Sequence, residues 1–134
     1  MKLQDAYVAE TGAYIGNWNK IGYSVPGEKK APSGNNAQTG NTGTTTNFIY
    51  TEATGGATWA DGTAELPSTA ADLWTATNKL KLNDCAGNAA NWALGLKKGT
   101  TGGEYTWTTR MGTNCDMLTP NFSNLGSESH TASN

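Results

Sequence analysis

The chain has 134 residues and a formal net charge of −2, with 36% of residues hydrophobic and only 15% charged. That length supplies one modest core, and the charge balance excludes the basic field that holds nucleic acid or an anionic bilayer. No apolar run approaches the roughly 20 residues of a membrane span, and the abundance of Gly, Thr, Asn and Ser suits an extracellular surface better than a cytosolic enzyme.

Residues 3–21 carry a helical period. Tyr7, Tyr14 and Ile21 recur at heptad spacing beside Val8, Thr11, Ile15 and Trp18, with Gln4, Glu10, Asn17 and Asn19 opposite. The spacing predicts one amphipathic helix over 1–23 that opens almost at the first residue, without a leader, and ends at Gly22 and Pro26-Gly27. Its buried stripe is aromatic, which serves packing on a sheet. Gly12 and Gly16 each weaken a helix by about 1 kcal/mol relative to Ala, so close packing is expected to hold them.

Residues 24–46, "SVPGEKKAPSGNNAQTGNTGTTT", predict an exposed polar connection. In "NFIYTEATGGATWADG", Phe48 and Tyr50 alternate with Ile49 and Thr51 before Gly55-Gly56 and Trp59, the pattern of a short hairpin. "PSTAADLWTATNKLKL" returns to a helical period: Ala70, Leu73, Trp74 and Thr77 share a face, Ser68 or Thr69 can cap it, and Asp72 lies in its first turn. Two strands follow. Trp92, Leu94 and Leu96 point one way in the first, and Tyr105, Trp107 and Thr109 do so in the second, with "GTTGG" as their connection. Leu118, Phe122 and Leu125 anchor a return along the sheet edge, and 127–134 is expected to be a disordered tail.

Cys85 and Cys115 are the two cysteines, and an even count in this composition favours one disulfide over two buried thiols. A bridge closing a loop of about 30 residues stabilises by roughly 3–4 kcal/mol. Neither cysteine has the neighbouring Cys or His of a metal site.

Little here points to catalysis. The single histidine, His130, lies in the expected tail, where nothing holds it as a general base. There is no Gly-x-Ser-x-Gly elbow and no Gly-Lys-Ser/Thr phosphate loop. Glu52, Asp61, Glu65, Asp72, Asp84, Glu104 and Asp116 are scattered, and no spacing among them demands a carboxylate pair. Asp61, Glu65, Asn83, Asp84 and Asn88 read as turn residues, since they lack the alternating spacing of a calcium loop. "NFS" at Asn121 fits a glycosylation sequon. No enzymatic activity, no cofactor and no metal are expected.

A long aromatic N-terminal helix, a polar loop, a strand-rich half and a C-terminal disulfide, in that order, resemble the globular domain of a type IV pilin. "NWALGLKKGTTGGEYTW" is similar to the hairpin of that family, and Cys85 with Cys115 is similar to its C-terminal disulfide region. One departure is that Cys85 precedes both strands, so the bridge encloses the hairpin. The resemblance implies an α+β fold, one domain over 1–134, with the helix packed on a four-stranded antiparallel sheet across the strand-rich part 47–126. Helix-to-sheet packing then falls to Tyr7, Tyr14, Ile15, Trp18, Trp92, Leu94, Tyr105 and Trp107. It also implies a preceding hydrophobic helix half, absent from this sequence, that anchors the subunit in the inner membrane before assembly. The implied partners are further copies of the chain in a helical surface filament and the pilus assembly machinery. Alternatives are a pseudopilin of a type II secretion system, and an extracellular carbohydrate-binding or adhesin module that stacks sugars on Trp59 or Trp74.

Overall fold

The computed structural model describes residues 1–12, 14–30, 41–53, 59–101 and 104–130. Its first feature corrects the long helix. Helix α1 spans Lys2–Thr11 and stops at Gly12, whose φ of +88° lies in the left-handed region open to glycine. The Thr11 hydroxyl donates to the Tyr7 carbonyl and accepts from the Tyr14 N–H, so a side chain closes the turn. Strand β1 (Tyr14–Gly16) and a one-turn helix α2 (Trp18–Ile21) follow, with the Asn17 side chain capping α2 through the Lys20 N–H. The heptad period of 3–21 is therefore shared among three short elements.

Among the described residues the fold is mostly β, which overturns the expected long helix on a four-stranded sheet. The further strands are β2 (Glu28–Lys30), β3 (Thr42–Thr44), β4 (Phe48–Glu52), β5 (Thr63–Glu65), β6 (Trp74–Asn78), β7 (Ala89–Lys98), β8 (Tyr105–Met111) and β9 (Glu128–Ser129). Seven of them form one sheet in the order β2-β3-β4-β6-β7-β8-β9, antiparallel except for the parallel β8–β9 pair, while β1 and β5 form a separate ribbon. The expected polar connection over 24–46 thus supplies two strands of the sheet edge. β4 pairs with β3 and β6, so it is not one arm of a hairpin with Trp59, and residues 54–58, which carry the Gly55-Gly56 turn, lie outside the described residues.

The second predicted helix is strand β6. Its Thr75 and Thr77 are β-branched, and it lies between β4 and β7 with both faces partly covered, so apolar and polar positions do not separate into a clean alternation. The two strands read from 92–96 and 105–109 are present as β7 and β8, paired antiparallel with Leu94 opposite Thr109 and Leu96 opposite Trp107. The Cys85–Cys115 disulfide is formed.

Register sorts the side chains. Tyr50, Ala76, Trp92 and Met111 make one row, and Glu52, Trp74, Leu94 and Thr109 the next, all on one face. At one end of that face Val8, Ile15, Ala64, Leu66, Leu73 and Leu96 form a core beneath α1 and the β1–β5 ribbon. At the other end Trp92, Ala76 and the disulfide are packed by Phe48, Leu118 and Phe122, while Leu125 remains exposed. A bulge at Ala76/Thr77 leaves Asn91 without a partner on β6 and turns it inward. Its amide donates to Asn78 Oδ1 at 2.7 Å and to the Ala86 carbonyl at 2.8 Å, which fixes the loop that carries Cys85. In that loop Asn83 and Asn88 take positive φ, the turn role read from the sequence.

Candidate functional site

On the core-bearing face, α1, α2, β4, β6, β7 and β8 converge on a cleft of about 240 Å³. Four of the five tryptophans line it: Trp18 from α2, Trp59, Trp74 from β6 and Trp107 from β8. Tyr23 completes the aromatic wall, with its ring edge-to-face on Trp18 at 5.0 Å. Trp74 in turn stacks on Tyr50 at 5.8 Å, and Tyr50 on Phe48 at 6.1 Å, so an aromatic ladder runs from the cleft along the sheet. The fifth tryptophan, Trp92, lies in the disulfide-end core and donates its indole N–H to Thr119 Oγ1 at 2.7 Å.

Glu52 is the charged side chain in the cleft lining, and it is only 8% exposed. Its Oε2 accepts the Trp18 backbone N–H at 2.5 Å, and its Oε1 accepts the Asn41 N–H and side-chain amide, each at 3.3 Å. These donors are all neutral, and Glu52 forms no ion pair among the described residues. The amide of Gln4, also in the lining, is committed to Gly16: it donates to the carbonyl and accepts the N–H, both at 2.8 Å.

Of the residues expected to pack a helix on the sheet, only some do so. α1 is held by buried Gln4 and Val8 and by Asp5, whose Oδ1 accepts from Tyr105 Oη and Trp107 Nε1, both at 2.8 Å. Burial, and then the hydrogen bond and charge of Asp5, push the Tyr105 phenol up to about 12. Tyr7 is half-buried beside Gly16. Tyr14 is 41% exposed on β1, and Ile15 is fully buried on that same strand against the β5 ribbon, so neither belongs to a helix. Trp18 and Leu94 meet in the cleft, and Trp92 packs at the far end of the sheet.

The opposite face holds a polar cluster that the sequence reading missed. Arg110 of β8 grips Asp72 through Nε at 3.0 Å and Nη2 at 2.8 Å. His130 places Nε2 2.8 Å from Asp72 Oδ1 and Nδ1 2.9 Å from Thr108 Oγ1. Burial raises the Asp72 carboxyl, but the hydrogen bonds and charges of Arg110 and His130 outweigh it and hold the group below its ordinary value. Hydroxyl, imidazole and carboxylate stand in the order of a hydrolase triad. The Thr108 hydroxyl is nonetheless sealed from any substrate, since Thr108 is fully buried and the His130 side chain only 2% exposed. The cluster is a clamp. It corrects the expectation of an unheld tail, because β9 pairs with β8 and the His130 ring is bonded to Thr108 on β8 and to Asp72 just ahead of β6, while 131–134 lie outside the described residues. Gly95 makes room for it: a Cβ there would stand 2.4 Å from the Ala71 carbonyl oxygen and 2.8 Å from Thr108 Oγ1. His130 lies 58 positions from Asp72 and 22 from Thr108, separations that no local motif encodes.

Among the described residues no group of three or more His, Cys, Asp and Glu side chains is placed to hold a metal ion, and no helix is long and apolar enough to cross a membrane. Comparison with protein-family models, with curated proteins and with solved structures finds no match.

Proposed function

We propose that the chain is the globular part of a structural subunit of a bacterial type IV pilus, assembling with copies of itself into a surface filament for adhesion, motility or biofilm formation. The observation that carries this reading is the mounting of α1. One side of the helix is fixed to the β1–β5 ribbon by the Gln4 bonds to Gly16 and to the sheet by the Asp5 bonds to Tyr105 and Trp107, roughly a hundred residues away in sequence, with Val8 buried in the core. The other side, with Lys2, Leu3, Ala6, Ala9 and Glu10, stays exposed. A helix gripped on one face and open on the other can transmit force from a filament interior to an outer domain. The disulfide and the low charge content suit the oxidising exterior in which such a fibre works.

The test is immunogold electron microscopy of cells that express the chain, with antibodies raised against the purified protein. The expected result is label along surface filaments that disappear when the gene is deleted. Label confined to the periplasm would replace this reading with the pseudopilin one, and label found only on free protein in the culture fluid would favour a binding module.

A further inference from the structure

We infer that the aromatic cleft is a binding site for a small organic cation of the alkylammonium class. Two independent features converge on that chemistry. The first is the wall: Trp18, Trp59, Trp74, Trp107 and Tyr23 line one space, and the ring faces of indole and phenol attract cations. The second is Glu52. A buried carboxylate is normally paired with a cation, yet among the described residues Glu52 accepts from Trp18 and Asn41 donors, all neutral, and forms no ion pair. A cation seated in the cleft would supply the missing positive charge and meet the aromatic faces at the same time.

Size and polarity narrow the class. The volume of about 240 Å³ falls below the roughly 300–1,000 Å³ typical of drug-sized ligands, so the occupant is compact. A sugar would need several directed hydrogen bonds, but the Gln4 amide is already spent on Gly16, and Asn17 Oδ1 is spent on the Lys20 N–H. The Lys29 ammonium, which lines an adjoining hollow that shares Trp18 and Tyr23, is bound to Ser24 Oγ at 2.6 Å. The site stands whether or not the chain assembles into a filament.

The indole N–H signals of the five tryptophans give a direct test by NMR. Choline, added to about 50 mM to reach weak affinities, should shift the signals of Trp18, Trp59, Trp74 and Trp107 in a saturable way and leave that of Trp92 in place. Its uncharged isostere 3,3-dimethylbutan-1-ol should bind at least about tenfold more weakly, because only the cation gains from the ring faces and Glu52. Glu52→Gln keeps an acceptor for Trp18 and should weaken choline by about tenfold or more. Trp59→Leu, at a half-buried position, should also weaken it and guards against a folding failure of the first variant. The inference is overturned if choline moves none of the four signals, if the neutral isostere binds equally well, or if the folded Glu52→Gln protein binds choline undiminished. It is also overturned if soluble oligosaccharides shift the four signals and choline does not, which would make the cleft a sugar site.

Discussion

Removing the Cys85–Cys115 bridge is the perturbation whose magnitude follows most directly from the structure. The two residues are 30 apart in sequence, and both are fully buried in the core at the disulfide end of the sheet. The chain-entropy relation for a loop of that length gives about 12 cal/mol/K, or about 3.6 kcal/mol at 25 °C, by which the open unfolded chain is favoured once the link is gone. Small voids left beside Trp92 and Ala76 add to this in the double variant Cys85→Ala/Cys115→Ala. The expected loss is therefore about 4–5 kcal/mol, a large part of the roughly 5–15 kcal/mol available to a domain. Urea unfolding followed by tryptophan fluorescence measures it, and reduction of the wild-type protein should reproduce most of the effect. The slope of stability against urea should also rise, because the unlinked unfolded chain exposes more surface. A loss below about 1 kcal/mol with an unchanged slope would refute the reasoning. It would mean that the 85–115 segment stays collapsed in the unfolded state.

Three further outcomes are expected. Trp18→Ala removes a side chain that is 6% exposed and should cost about 3–5 kcal/mol in urea or thermal unfolding; an unchanged melting temperature would show that Trp18 is not core. Asp72→Asn leaves the half-buried Arg110 without its counter-charge and should cost about 2–3 kcal/mol at neutral pH. The folded-state Asp72 carboxyl titrates below its ordinary range, so its contribution is present above about pH 4 and fades as pH falls through the folded value; the stability gap between wild type and variant should therefore close in acid. Tyr105 runs the other way. Its phenol is raised to about 12, so the stability tied to its neutral form is complete below its ordinary value of 10.0 and is lost as pH rises towards 12. Ultraviolet titration should find the Tyr105 phenol titrating late, and Asp5→Asn should bring it back towards 10.0.

Strands β7 and β8, their pairing and the disulfide were legible in the order of residues alone. Alternating Trp, Leu and Tyr positions on long β-formers carry a period that only a strand satisfies, and two cysteines in this composition leave few options. The sequence also marked the aromatic residues, but not their places. Periodicity along 3–21 could not reveal that Gly12 and the Thr11 hydroxyl would divide the run, since a heptad pattern survives a break that reverses the chain. Nor could the period of 67–82 distinguish an amphipathic helix from an inner strand whose two faces are both partly covered.

The aromatic cleft and the His130 clamp exist through long-range packing alone. Trp18, Trp59, Trp74 and Trp107 come from separate elements, and Glu52 joins them through its position on β4 opposite Trp74. His130 became a buried clamp because β9 returns beside β8 and Gly95 leaves room for its ring, although the local sequence of the tail holds nothing to anchor it. Local signals in a chain fix which face a residue presents over a few positions. Which faces meet is set by the register and order of seven strands, and that is a property of contacts distant in sequence.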